Sequence, residues 1–303
     1  MVDGERDVEK KSARAECEAI VVRCEAGDVS APVALMQMLI VAEDERLVAD
    51  VVRARSATST RAGDLARLLD EHAEGCARIT AMLRSDMDTS APHASVDQGV
   101  AFARRLFDWS VQQSEEASVA LYSLGDPALL AAATREIVEL FDAWALLGGG
   151  RAALDIGCGI GRLEVALAPR LGRIQGIDVS EQMIAAARRR CEALTNVTLT
   201  VGSGLDVGAV GDGDVDLVFA VDSFPYLVQS GMPLVATHFA EARRVLRAGG
   251  DFVVLNFSYR GDTLRDRSDV ASLAQRHGFE VRVDGTKPFT LWDGVAFRLV
   301  KRA

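Results

Sequence analysis

The run Leu154-Asp155-Ile156-Gly157-Cys158-Gly159-Ile160-Gly161-Arg162 constrains this chain more than any other stretch. It reads as a short buried strand, a glycine turn and the start of a helix. Glycines at these spacings let the backbone turn tightly and let a ligand approach without Cβ collisions. The amides opening the helix favour an anionic group. A turn of this kind serves either a dinucleotide or S-adenosylmethionine. The dinucleotide pattern is G-x-G-x-x-G. Here the third glycine falls one residue early, at Gly161, and Arg162 takes the sixth position, so the spacing is G-x-G-x-G with Asp155 two residues ahead.

The order of the downstream motifs narrows the choice. Gly176-Ile177-Asp178-Val179-Ser180 is a second strand ending in an acid, and an Asp there can accept hydrogen bonds from both hydroxyls of a ribose. A helix over 181–194 carries Met183, a third strand covers 197–201, and a polar turn comes next at Ser203-Gly204-Leu205-Asp206. The apolar run 215–221 is a fourth strand, with Asp222-Ser223-Phe224-Pro225-Tyr226 at its end, and 251–257 is a fifth. A sixth strand is expected at 280–284 and a seventh at 295–301.

From Asp155 to Phe257 the chain resembles the class I S-adenosylmethionine-dependent methyltransferases, motif by motif and in order. The resemblance implies an α/β fold: a Rossmann-like seven-stranded sheet with an antiparallel last strand, here preceded by an all-α N-terminal region. It implies S-adenosylmethionine as cofactor. Asp155 would orient the loop, and Gly157, Cys158, Gly159 and Gly161 would line the methionine part. Asp178 would hold the ribose, Val179 and Met183 would pack near the adenosine, and Ser203, Gly204 and Leu205 would approach the adenine. Asp222 joins this cofactor set. Many family members carry an acid at or beside the position of Ser203; here the nearest acid is Asp206. Cys158 reads as a small packing residue.

Composition agrees with a cytoplasmic enzyme. No window approaches the apolar length of a membrane span, and the N-terminus lacks the basic-then-apolar pattern of a secretory signal. The 5 cysteines have no paired or metal-ligand spacing, so they read as reduced thiols and no metal site is expected. A net charge of −10 opposes a phosphate backbone. The clusters Arg188-Arg189-Arg190 and Arg243-Arg244 fall on helices expected to pack on a sheet, so nucleic acid is a disfavoured partner.

Residues 1–95 read as helices, with apolar stripes over 5–26, from Pro32 to about Arg55, and 60–84, and a polar linker over 85–95. They hold no catalytic motif. Packing, a lid, or pairing two copies into a homodimer are the readings. The second part, 96–303, is the methyltransferase domain with its leading helices, 96–148, as a cap. Within the cap, Tyr122 sits at a joint between helices and is a candidate acceptor contact. Others lie after the fourth and fifth strands, because open parallel sheets bind ligands at their carboxyl ends: Phe224, Tyr226, Tyr259 and Arg260. None of the 4 histidines reads as catalytic, and no catalytic residue is assigned. A sulfonium methyl is already activated, so alignment does most of the work. A small-molecule acceptor is the leading reading. A protein or RNA acceptor, and a non-catalytic cofactor-binding module, stand as alternatives.

Overall fold

The computed structural model describes residues 2–84, 93–208 and 210–302. It separates into two compact units. The first comprises Met1–Thr89, Gln113–Ala133 and Phe289–Asp293; the second comprises Ser90–Gln112, Thr134–Pro288 and Gly294–Ala303. The helix after the linker belongs with the sheet, the segment after it with the N-terminal helices, and five residues of a C-terminal hairpin loop also join the first unit.

The first unit is helical: α1 (Val2–Ala26), α2 (Ala31–Ala42), α3 (Glu45–Arg55), α4 (Thr60–Glu71), α5 (Ala73–Leu83) and the short α7 (Glu115–Val119). Two stripes that read as single helices are each broken. Glu43 adopts φ 47, and Asp44 caps α3 by accepting from the amides of Arg46 and Leu47. His72, at φ −116 and ψ 27, ends α4, and its imidazole lies 3.5 Å from Asp126. Cys17, Cys24 and Cys76 are buried in this core as free thiols. Burial pushes the thiols of Cys17 and Cys76 up to about 11, which keeps them protonated. The 289–293 segment is tied in by Ser30 Oγ donating to the Leu291 carbonyl at 3.2 Å and by Trp292 stacking on Tyr122 at 5.9 Å.

The second unit holds α6 (Val96–Gln113), the part of α8 (Pro127–Ala143) from Thr134 onward, β1 (Gly148–Ile156), α9 (Arg162–Leu167), β2 (Leu171–Asp178), α10 (Glu181–Arg190), β3 (Val197–Val201), β4 (Val215–Val221), α11 (Phe224–Ser230), α12 (Met232–Val245), β5 (Leu246–Leu255), α13 (Thr263–Arg276), β6 (Phe279–Thr286) and β7 (Ala296–Lys301). The strand order is β3-β2-β1-β4-β5-β7-β6. The first five strands in this order pair in parallel, while β7 runs antiparallel to both β5 and β6. The central strands β1, β4 and β5 are mostly apolar and buried, as a sheet covered on both faces requires. Phe224, Phe239, Phe252, Phe257 and Phe297 are 0% exposed and interlock by tilted and edge-on contacts. Burying each contributes on the order of 2–3 kcal/mol. His238, 2% exposed on α12, has its Nδ1 3.0 Å from the Leu234 carbonyl, a packed histidine as expected. Among the described residues no helix is long and apolar enough to cross a membrane.

The sequence order switches at β1, which has β2 on one side and β4 on the other. In open parallel sheets the crevice outside the carboxyl ends at such a point is where ligands bind. The glycine loop leaves β1 at that crevice.

Candidate active site

Gly157, Gly159 and Gly161 take φ of 81, 53 and 76, a region costly for residues with a Cβ. At Gly157 a Cβ would lie 2.4 Å from that of Ser223; at Gly161 it would press on Ala187 and Cys191 at 3.1 Å. Four loop amides are spent within the protein. Those of Gly157 and Cys158 both donate to the Ile177 carbonyl, that of Gly161 to the Cys158 carbonyl, and that of Gly159 to Asp178 Oδ2 at 2.9 Å. A pyrophosphate needs such amides free, so this loop offers close backbone approach in place of an anion cradle.

Asp178 closes β2 beneath the loop. Its Oδ1 accepts from the Ser180 amide at 2.9 Å and the Val179 amide also bonds to the carboxylate, three donors on a group that can accept about four. Burial pushes its carboxyl up to about 6. Beneath the loop lie two more buried carboxyls, Asp155 at 1% exposure and Glu164 at 0%. Burial first, then the facing Glu164 charge, raises Asp155 well above the carboxylate range, and burial raises Glu164 to about 7. The glycine motif does not mark Glu164. Its signal in the sequence is an acid on the apolar stripe of Arg162–Leu167.

Helix α6 crosses the carboxyl ends of the strands with two neighbouring stripes. Along 100–104–108, the Cβ that Gly204 lacks would lie 2.7 Å from Val100. Arg104 donates to the Val179 carbonyl at 3.1 Å, and Asp108 accepts from Ser180 Oγ at 2.6 Å. Along 99–103–107, Gly99 packs on Ser230 and Phe107 meets Tyr226 edge-on at 4.8 Å. The i, i+4 spacing carried this information, but the partners lay far along the chain. The remaining expected cofactor residues divide. Val179 borders Gly204, whereas Met183 is 1% exposed and packs inside. Ser203 Oγ donates to Asp206 and accepts from the Leu205 amide, so the turn caps itself and presents Leu205, 40% exposed. Cys158 is 5% exposed, and burial holds its thiol far up, which suits packing and not nucleophilic attack.

On the other side, the ends of β4 and β5 meet. Asp222 (φ 61) and Asn256 (φ 68) are both left-handed. The Asn256 amide Nδ2 donates to Asp222 Oδ1 at 2.7 Å. The Tyr259 hydroxyl is hydrogen-bonded to Asp222 and Tyr226, and the Tyr226 and Tyr259 rings stand perpendicular at 5.7 Å. Burial, then the Asp222 charge, raises both hydroxyls, which keeps them neutral.

Three expected acceptor contacts are not in this group. Phe224 is 0% exposed, because it opens α11 with its ring in the aromatic core. Arg260 donates to Asp266 at 2.6 Å and Asp269 at 2.7 Å; Asp266 is 5% exposed and needs that counter-charge. Tyr122 belongs to the first unit, where it is 4% exposed against Trp292.

A family model described as a methyltransferase domain matches residues 153–250. A demethylmenaquinone methyltransferase of Tropheryma whipplei is 30% identical over 114 residues, 36% of this chain and 43% of that protein. An uncharacterized 37.1 kDa protein of a Streptomyces fradiae transposon is 38% identical over 109 residues, 35% of this chain and 30% of its own length. The chain thus spans less than half the length of these relatives. Among solved structures, Haemonchus contortus phosphoethanolamine N-methyltransferase 1, in complex with phosphoethanolamine and S-adenosylhomocysteine, superposes with a TM-score of 0.56 at 17% identity, over 69% of this chain and 50% of that one. The magnesium protoporphyrin IX methyltransferase of Synechocystis, with bound S-adenosylmethionine, gives 0.50 at 15% identity, over 67% and 97%. Residues 153–250 thus match a methyltransferase domain, in a sheet whose strand order and G-x-G-x-G loop over an acid at the end of β2 are those on which the resemblance rests.

Proposed function

We propose that this chain transfers a methyl group from S-adenosylmethionine to a small-molecule acceptor by in-line displacement. The observation that carries the reading is Asp178, fixed by the Gly159 and Ser180 amides at the end of β2 with acceptor capacity to spare. A ribose presents two neighbouring hydroxyl donors, which that carboxylate matches. The three loop glycines leave the space that the methionine part needs. Val179, Gly204 and the exposed edge of Leu205 form an apolar border for the adenine. When bound, the cofactor supplies a sulfonium-activated methyl.

The chain's own residues then align and enclose. Helix α6, latched to Val179 and Ser180 at one flank and to Tyr226 and Ser230 at the other, limits water at the strand ends. Alignment of nucleophile and methyl at near-attack distance supplies most of the rate. Support for a small acceptor is the acidic chain, net −10, and the compact polar cluster of Asp222, Asn256, Tyr226 and Tyr259 at the ends of β4 and β5.

Titration calorimetry with S-adenosylmethionine, S-adenosylhomocysteine and NAD tests the reading. Micromolar binding of the two adenosyl ligands, and none of NAD, is expected. Binding of NAD in their place, or of no ligand, would overturn it.

A further inference from the structure

Helix α11 and the strand ends of β4 and β5 build a corner whose chemistry narrows the acceptor. Two tyrosine rings stand at 89° to one another, Phe107 closes on that of Tyr226 at 74°, and a carboxylate sits at their junction. The corner is open: Tyr259 leaves 49% of its surface exposed although its hydroxyl is enclosed. It also lies beside the glycine loop. Asp222 precedes Ser223, whose Oγ donates to the Ile156 carbonyl at 2.5 Å and whose Cβ occupies the space over Gly157.

The carboxylate is held at some cost. Asp222 and Asn256 both occupy the left-handed region, which Asp and Asn enter at a smaller cost than other residues with a Cβ. Their backbones are pinned there by the Asp222 amide donating to the Leu255 carbonyl at 2.9 Å and the Asn256 amide donating to the Val295 carbonyl at 2.8 Å. Asn256 and Tyr259 then fix the carboxyl plane. Strain retained on adjacent strands to aim one charged group is a signature of a working site.

We propose that this corner binds a cationic nitrogen, so that the acceptor is an amine and the reaction is N-methylation. The inference rests on the methyl-transfer reading. Aromatic walls attract a cation through the ring quadrupole, Asp222 neutralises it, and neither feature favours a neutral or anionic acceptor. An ammonium gives its proton to the Asp222 carboxylate. The freed lone pair forms the new N–C bond with the methyl as the C–S bond breaks and its electron pair passes to sulfur. The methylated product is again a cation, which the same walls accommodate.

The test uses the full chain loaded with S-adenosylhomocysteine, and two probes of one shape: choline and its uncharged isostere 3,3-dimethylbutan-1-ol. Calorimetry on the wild type should show choline binding at least tenfold more tightly. Asp222→Asn should reduce that preference to threefold or less, and Tyr259→Leu should weaken choline alone. Both variants should keep their melting temperature, and each is saturated with S-adenosylhomocysteine before the probes are added. Equal binding of the two probes to loaded wild type, or a preference that survives in Asp222→Asn, would overturn the amine assignment and leave methyl transfer standing. Failure of the wild type to bind S-adenosylhomocysteine would instead overturn the methyl-transfer reading, and this inference with it.

Discussion

At the ends of β1 and β2, functional groups are gripped by the backbone. Asp178 takes the amides of Gly159 and Ser180, those of Gly157 and Cys158 bond to the Ile177 carbonyl, and two carboxyls, Asp155 and Glu164, lie buried beneath the loop. At the ends of β4 and β5 the grip is by side chains: an Asn amide and a Tyr hydroxyl on Asp222, and one ring against another. Backbone bonds persist through most substitutions, whereas side-chain bonds change with every one. The β1–β2 side therefore suits a ligand that never varies, and the β4–β5 side one that differs between relatives. The contrast also predicts that substitutions on the first side strike fold and ligand together, while those on the second strike the ligand alone.

The largest effect is expected at Gly157→Val. The new side chain meets Ser223 at 2.4 Å in a backbone with φ 81, so both the loop and the turn after β4 must shift. Such incompatibility costs about 2–4 kcal/mol. Chemical denaturation should show that loss, and calorimetry should find S-adenosylhomocysteine binding abolished. Native stability with native affinity would refute the role given to the loop.

Asp178→Asn is next. Replacing a carboxylate that receives two hydroxyls removes charge-assisted bonds worth about 1.5–3 kcal/mol each, a loss of about a hundredfold in affinity when part is retained. The wild type carries a pH signature too. Because its carboxyl is raised to about 6, acidification below that value protonates Asp178 and removes acceptor capacity. S-Adenosylhomocysteine affinity measured from pH 8 to pH 5 should fall below pH 6 in the wild type and stay weak and flat in the variant. A flat wild-type profile would remove Asp178 from the ribose.

Legibility divided along the same line. The G-x-G-x-G spacing and the acid of 176–180 are local signals, so the β1–β2 side could be read from consecutive residues, and strands β3 and β4 have the very bounds that their apolar runs set. The β4–β5 side depends on pairs such as Asp222 with Asn256, 34 positions apart, whose meeting is a product of strand register. Phe224 and Arg260 looked polar-site neighbours in sequence. An aromatic core and a buried Asp266, neither visible along the chain, claimed them. The unbroken stripes around residues 43 and 72 hid two helix ends, because a left-handed Glu43 and a cap at Asp44 leave no mark on apolar periodicity.

A smaller effect, opposite in sign, separates fold from ligand on the β1–β2 side. Glu164 titrates near 7 in the folded chain and near 4.5 when unfolded, so the folded state holds the extra proton between those values. Stability from this group is therefore lost as pH rises through that window. Glu164→Gln removes the penalty and should raise stability by about 1–2 kcal/mol at pH 8, with little change at pH 4. Denaturation at both pH values checks it. Destabilisation at pH 8 would show that the charged pair with Asp155 supports the loop.

The smallest effect on stability is expected at Asn256→Gly, which sharpens the contrast most. Glycine occupies φ 68 without the cost that asparagine bears there, a gain of under about 1 kcal/mol. The same change removes the amide that donates to Asp222, a loss of similar size. The two nearly cancel, so denaturation should move by no more than about 0.5 kcal/mol. The carboxylate, however, loses one of the bonds that fix its plane and gains freedom to turn. Choline affinity in the S-adenosylhomocysteine-loaded chain should then drop several-fold while S-adenosylhomocysteine affinity holds. A stability loss beyond about 2 kcal/mol would mean that Asn256 supports the strand ends themselves. In that case the two sides of the crevice would be built alike.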